Sequence, residues 1–321
     1  VQDLKIGPLN TLYRLERWES PKGEYLVGKL PGEVKGHFGP GLISFCLYQY
    51  YHAHVTQPLL LEELREFGID ISAGQINRIL MEGKERFHRE KEEILRAGLG
   101  ISRYINVDDT GARHQGNNGY CTHIGNEFFA WFRSTDSKSR VNFLKILRGE
   151  HEDYVLNQEA FEYIEGQKMP TELLERLKSL EPNRWDNESE WKETLKKVGI
   201  SEERHVRIAT EGALLGSVLE HGLNPEMVIV SDDAGQFNLL RHALCWFHAD
   251  RSINNLVSFN EEQHQAIEGI RVRIWELYND LKAYKEAPSE GKKVELEQRF
   301  DEIFTTLELL CNFKSDTKAA I

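Results

Sequence analysis

Residues 104–111 read YINVDDTG, and residues 227–233 read MVIVSDD. In the first stretch Tyr104, Ile105 and Val107 lead into Asp108 with the period-two texture of a strand. In the second, the unbroken apolar run Met227–Val230 has the profile of a central strand buried on both faces. Both end in acid, as Asp108-Asp109 and Asp232-Asp233. Side chains alternate along a strand, so only one residue of each pair can face a given cleft. If the two strands are neighbours, one aspartate from each can converge on divalent cations, which take hard oxygen ligands. Two such ions about 4 Å apart can activate an attacking oxygen and stabilise a leaving one in phosphoryl transfer. Aspartates also cap turns and helices for purely local reasons, and the spacing alone leaves both readings open.

Working outward, Asn118-Gly119 is a hairpin turn signal, Tyr120–Ile124 a second strand, Gly125-Asn126 another turn signal, and Phe128–Phe132 a third strand. Ser137 or Ser139 then opens a helix through Phe143, Leu144 and Leu147 that closes near Gly149. Residues 101–149 thus form the first half of a core, and 223–258 the second half, with His242–Trp246 as one more short strand. Between them, residues 150–222 are polar and mostly helical in pattern, with isolated aromatics at Tyr154, Phe161, Trp185 and Trp191, the texture of an inserted subdomain. Residues 259–321 are charged helix with Ile267, Ile270, Ile274, Leu277 and Leu281 on one face.

Upstream, residues 1–41 are irregular and rich in Gly and Pro, and 42–97 are helical. A helix from Leu42 ends before Pro58, and a second carries Leu59, Leu60, Leu61, Leu64 and Phe67 and stops at Gly68. Ser72 caps a third from Ala73. This is the outline of a helix-turn-helix: Ile76, Ile79 and Leu80 point inward, leaving Gln75, Asn77, Arg78 and Lys84 for a DNA groove. A plain helical hairpin fits the same pattern. Residues 84–96 alternate Lys, Arg and Glu, as a solvated helical face does.

The 321 residues are 40% apolar and carry a net charge of −12, enough for a sizeable core and unsuited to coating nucleic acid, whose phosphates attract Lys and Arg. Any DNA contact must use local basic residues, with Arg113, His114, Lys138, Arg140 and Arg251 as candidates. No stretch approaches the roughly 18 apolar residues of a membrane span, and no basic-then-apolar leader opens the chain, so a cytoplasmic location and no membrane partner are expected. Cys46, Cys121, Cys245 and Cys311 form no CxxC pair, and reduced thiols are the default. Cys245 and His248 invite a zinc reading, but no second ligand pair lies near; His248 bonding near the acids, with Cys245 packed inside, suits them better.

The runs Val107–Gly111, Val230–Asp232 and Cys245–Arg251 resemble successive motifs of insertion-sequence transposases of the IS-sixty-six type, and Gly36–Gly41, Val55–Pro58 and Gly68–Gln75 resemble the helical segment before that family's catalytic core. The likeness spans most of residues 30–148 and 226–255. It implies an α/β fold with an RNase H-like, DDE-type core, whose mixed sheet has three antiparallel strands plus parallel ones, preceded by a helix-turn-helix region and carrying helical insertions. By motif match Asp108 and Asp232 are two of three catalytic acids that bind two Mg²⁺ (or Mn²⁺) ions, with Cys245, His248 and Arg251 in support. The activity implied is cleavage and strand transfer of double-stranded DNA, transposon ends and target, by a homo-oligomer assembled on DNA. Gln75, Arg78, Lys84, Arg113, Lys138 and Arg140 are the expected DNA contacts. No segment resembles the motif around the third acid, a glutamate, which is expected beyond Ile321. A catalytically incomplete, transposase-derived DNA-binding protein or regulator is the alternative, and a nuclease on the same fold a further one.

Overall fold

The computed structural model describes residues 1–310 apart from Leu4, Lys35 and Gln115; Cys311 and the stretch to Ile321 lie outside them. The chain divides into two compact units, residues 1–90 and the remainder from Lys91.

In the first unit a small exposed hairpin, β1 (Arg17–Glu19) with β2 (Tyr25–Val27), precedes three helices: α1 (Pro40–Leu47), α2 (Gln57–Glu66) and α3 (Ala73–Met81). A π-helical turn, Tyr48–His52, extends α1. Pro58 does not follow a helix at a distance but sits in the first turn of α2, where its missing N–H costs nothing. Gly68 takes φ +80°, as the stop of α2 demands. Cys46, Leu60, Leu64, Ile71, Ile76 and Leu80 form the core, and Tyr51 donates to the Leu80 carbonyl at 3.0 Å. Ser72 caps α3 through a reciprocal capping box with Gln75.

Helix α4 (Glu85–Ile101) leads into the second unit. It runs on through Gly98 and Gly100, past residue 97 where the helical region is expected to end. Gly98 is there for space: a Cβ would lie 2.6 Å from the Phe129 ring. Strands β3 (Tyr104–His114), β4 (Asn117–Gly125) and β5 (Ala130–Thr135) follow as an antiparallel meander. The first reversal falls between His114 and Asn117, not at Asn118-Gly119. Gly116, with φ +80°, makes the turn. Gly119 instead lies inside β4, because a side chain there would meet the Ala112 carbonyl at 2.9 Å, and Asn118 accepts from Arg113 across the ladder. Phe128 falls in the second turn, ahead of β5.

Ser139 caps α5 (Arg140–Arg148), which Gly149 closes with φ +68°. Next come β6 (Tyr154–Val155), α6 (Gln158–Gly166), α7 (Thr171–Lys178), β7 (Arg184–Trp185), α8 (Glu188–Lys197) and α9 (Glu203–Glu220). Their apolar side chains share one core with the sheet: Tyr154, Trp185, Trp191, Leu214 and Val218 belong with Ile105, Val107, Ile124 and Trp131. Trp191 stacks on Tyr154 and its indole N–H donates to Thr210 at 3.0 Å, satisfying the polar end of a buried aromatic.

The chain then re-enters the sheet. Strand β8 (Val228–Ser231) lies parallel to β3, and β9 (Arg241–Leu244) parallel to β8, giving the order β5-β4-β3-β8-β9. Trp246 is not in the last strand; it opens helix α10 (Trp246–Asn254). Helices α11 (Glu261–Glu286) and α12 (Glu290–Leu310) pack with α10 around Ile253, Ile270, Ile274, Leu277, Leu296 and Ile303. The second unit is thus a mixed α/β structure on a five-stranded mixed sheet. No helix of the described residues is long and apolar enough to cross a membrane.

Candidate acidic site at the junction of two parallel strands

The parallel pairing of β3 with β8 runs Tyr104↔Val228, Ile105↔Ile229 and Asn106↔Val230. Two residues on from that last pair stand Asp108, inside β3 and exposed, and Asp232, the first residue past the end of β8 and half-buried. Asp108 pairs with His123, which pairs with Phe132, and these two rings lie 4.8 Å apart. Asp108 and Phe132 are exposed, whereas Val107, Ile124 and Trp131, one residue away on the opposite face, are buried. The sheet is sealed on one side and open on the side that bears Asp108.

Asp109 points the other way and is fully engaged. It accepts from the buried Thr122 hydroxyl at 2.5 Å and from Gln236 at 3.2 Å. Gln236 sits in the single 3-10 turn Gly235–Phe237 after β8, so Asp109 ties the two acidic strands together from beneath. Asp232 accepts from the Ala234 backbone N–H at 3.1 Å through its Oδ1, a local turn bond. Burial pushes the His123 imidazole below the ordinary histidine range, against the opposing pull of Asp108.

The supporting residues gather at the same end of the sheet. The Cys245 N–H donates to the Ser231 carbonyl at 2.8 Å, which places the start of α10 beside Asp232. His248 lies in the first turn of that helix, and its buried Nδ1 has no hydrogen-bond partner. Arg251 is exposed one turn on. Cys46, Cys121 and Cys245 are free thiols.

The basic residues divide. Arg113 is exposed beside Asn118, and Lys138 lies over the Tyr120 ring at 5.1 Å. Arg140 is not a free phosphate contact. Its guanidinium donates to the Tyr163 hydroxyl at 2.7 Å and to the Gly235 carbonyl, and it pairs with the buried Glu211 at 3.7 Å. A cation only 17% exposed and this committed is a structural tie between α5, α9 and the loop after Asp232. In the first unit, Arg78 is exposed on α3. Gln75 spends its side chain on the capping box, and Lys84 lies beyond the end of α3, its ammonium on the Glu82 carbonyl.

Sequence reasoning missed His123, Gln236 and the engagement of Asp109. With the hairpin turn placed at Asn118-Gly119, Asp108 would face Phe129 instead of His123; the positive-φ requirement at Gly116 was the overlooked signal.

Over 214 residues the chain is 42% identical to the uncharacterized protein y4jO of Sinorhizobium fredii, an alignment covering 66% of this chain and 67% of that protein. The chain belongs to that protein's family. No family model matches the chain, and no solved structure matches it. The shared family therefore carries no activity with it, and function has to be argued from the acids and their surroundings.

Proposed function

We propose that the protein is a metal-dependent DNA-processing enzyme of the transposase kind, with an RNase H-like core and Asp108 and Asp232 as the metal-holding acids. The observation that supports this reading is the parallel pairing of β3 with β8, two neighbouring strands of which one carries Asp108 and the other leads directly into Asp232. The order of the sheet, a three-stranded antiparallel meander followed by two parallel strands, is the kind that the resemblance implies.

The donor set fits hard cations: two carboxylates, with Asp109 withdrawn to the opposite face, suit Mg²⁺ or Mn²⁺ better than a soft ion. Held there, such ions would neutralise phosphate charge and activate an attacking oxygen. The chain's own contribution is positional. Asp109, Thr122 and Gln236 tie the middle of β3 to β4 and to the turn after β8, and the exposed face leaves room for a DNA backbone. His123 stands on that face beside Asp108, placed to donate to a phosphate oxygen. Arg78, Arg113 and Arg251 are exposed cations available for phosphate contacts in an otherwise acidic protein.

A second reading keeps DNA binding and drops the chemistry. It is favoured by the absence, among the described residues, of any group of three potential ligands that includes Asp108 or Asp232. One assay separates the two: nicking of supercoiled plasmid and cleavage of duplexes drawn from the DNA flanking the coding sequence, with Mg²⁺ or Mn²⁺. The enzyme reading expects metal-dependent cleavage that Asp108→Asn and Asp232→Asn each reduce by about a hundredfold or more, roughly 2.7 kcal/mol of transition-state stabilisation. Full activity in either variant removes that residue, and DNA binding without cleavage leaves the regulator.

A further inference from the structure

Outside the acidic site, the two ends of the 150–222 region meet. His151 and Asp153 lie between α5 and β6, and His221 follows the last residue of α9. Their potential ligand atoms all lie within 4.8 Å of one another, the one such group of three found among the described residues. We infer that His151, Asp153 and His221 form a binding site for a borderline divalent transition metal such as zinc, with a remaining coordination position left to water.

Three features of the cluster support this. The ligand types are two imidazoles and one carboxylate, a mixed nitrogen and oxygen set that suits zinc, cobalt or nickel and not magnesium or calcium. Asp153 is buried and oriented: Ser217 donates to its Oδ1 at 2.8 Å, and His221 Nε2 lies 3.0 and 3.1 Å from its two oxygens. A supporting hydrogen bond such as that from Ser217 holds a carboxylate ligand in place. His151 is exposed, which opens the cluster to solvent on one side and gives an ion a way in.

The His151 and His221 rings are stacked with centroids 3.4 Å apart and planes 5° from parallel. Parallel rings cannot both aim an in-plane lone pair at one point, so His151 must turn out of the stack to bind, a motion its exposure permits. Ligand atoms around a tetrahedral zinc at about 2.1 Å stand roughly 3.4 Å apart, so the group has to contract as His151 turns. Arg184 now holds Asp153 Oδ2 at 2.8 Å, and it has a second acceptor in Glu220 at 2.9 Å to which its charge can shift. An ion here would fasten the entrance of β6 to the exit of α9, closing the region at its two ends.

The site is independent of the acids at Asp108 and Asp232, and so is its test. Tag-free protein is titrated with Zn²⁺ against a chromophoric chelator and, separately, with Co²⁺. One equivalent of zinc is expected, with a rise in Tm, a four-coordinate cobalt spectrum, and no competition from Mg²⁺. His151→Ala, at an exposed position, should keep the metal-free Tm yet weaken zinc by about tenfold or more, since even a supporting partner of a ligand is worth 10–100-fold. Asp108→Asn and Asp232→Asn should bind zinc as the wild type does. Failure of the wild type to bind one equivalent, or binding that His151→Ala and His221→Ala leave unchanged, overturns the proposal.

Discussion

On one side of the five-stranded sheet Ile105, Val107, Ile124 and Trp131 share a core with α5 and α9, while on the other Asn106, Asp108 and Phe132 meet solvent. The contrast is sharpest at the neighbours Asp108 and Asp109. The second is a structural acid with two donors of its own, and the first is an exposed acid whose nearest cross-strand neighbour is a histidine. Two carboxylates adjacent in sequence thus have opposite duties, assigned by the period of a strand alone. The proposed metal-dependent reading rests on the exposed member of this pair.

The contrast can be broken most directly at Trp131 and Phe132. Trp131→Ala empties a position only 1% exposed and should destabilise by about 3–5 kcal/mol, whereas Phe132→Ala, at 54% exposure, should stay within about 0.5 kcal/mol. Urea unfolding of the two variants beside wild type measures both. A Phe132→Ala loss that rivals Trp131→Ala would mean the open face is covered in solution. The aspartates give a smaller version. Asp109→Ala strands the buried Thr122 hydroxyl and should cost about 1–3 kcal/mol, while Asp108→Ala should stay within about 0.5 kcal/mol. Equal losses would mean that Asp108 is a structural residue like its neighbour.

Much of the sheet was legible because its signals are local. The acid-ended apolar runs, the Ser72 and Ser139 caps and the Gly149 stop each declare themselves within a few residues. What escaped was set by distant partners. Gly98 sits inside a helix because Phe129 needs the space, and Gly119 lies inside a strand because Ala112 does. Arg140 looks like any surface cation until Tyr163, Glu211 and Gly235 arrive around it. The His151–Asp153–His221 group joins positions up to 70 apart, and no spacing rule connects them. The acidic pair was readable only in part: Asp232 does follow the end of β8, but Asp108 and Asp109 are not at a strand end, because β3 runs on to His114 in its ladder with β4.

The sealed side also has an outer seam, where the comparison can be sharpened at lower cost. Glu188 at the start of α8 accepts from Lys145 of α5 at 2.6 Å and pairs with Lys192 at 2.6 Å. The Lys145 hydrogen bond, then that of Lys192, hold its carboxyl at about 2, below its usual 4.5. A depressed pKa stabilises the fold above the unfolded value, and that contribution is lost as pH falls from about 4.5 toward about 2. The Glu188 side chain is 43% exposed, so solvent and salt screen the pair and only a fraction of a kcal/mol, on the order of a surface ion pair, should be seen. Melting temperatures of wild type and Glu188→Gln, recorded from pH 6 to pH 2 at low salt, should differ slightly at the top of that range and converge at the bottom. A gap that persists unchanged at pH 2 would show that Glu188 acts through packing, and that α5 and α8 are joined by apolar contact and not by charge.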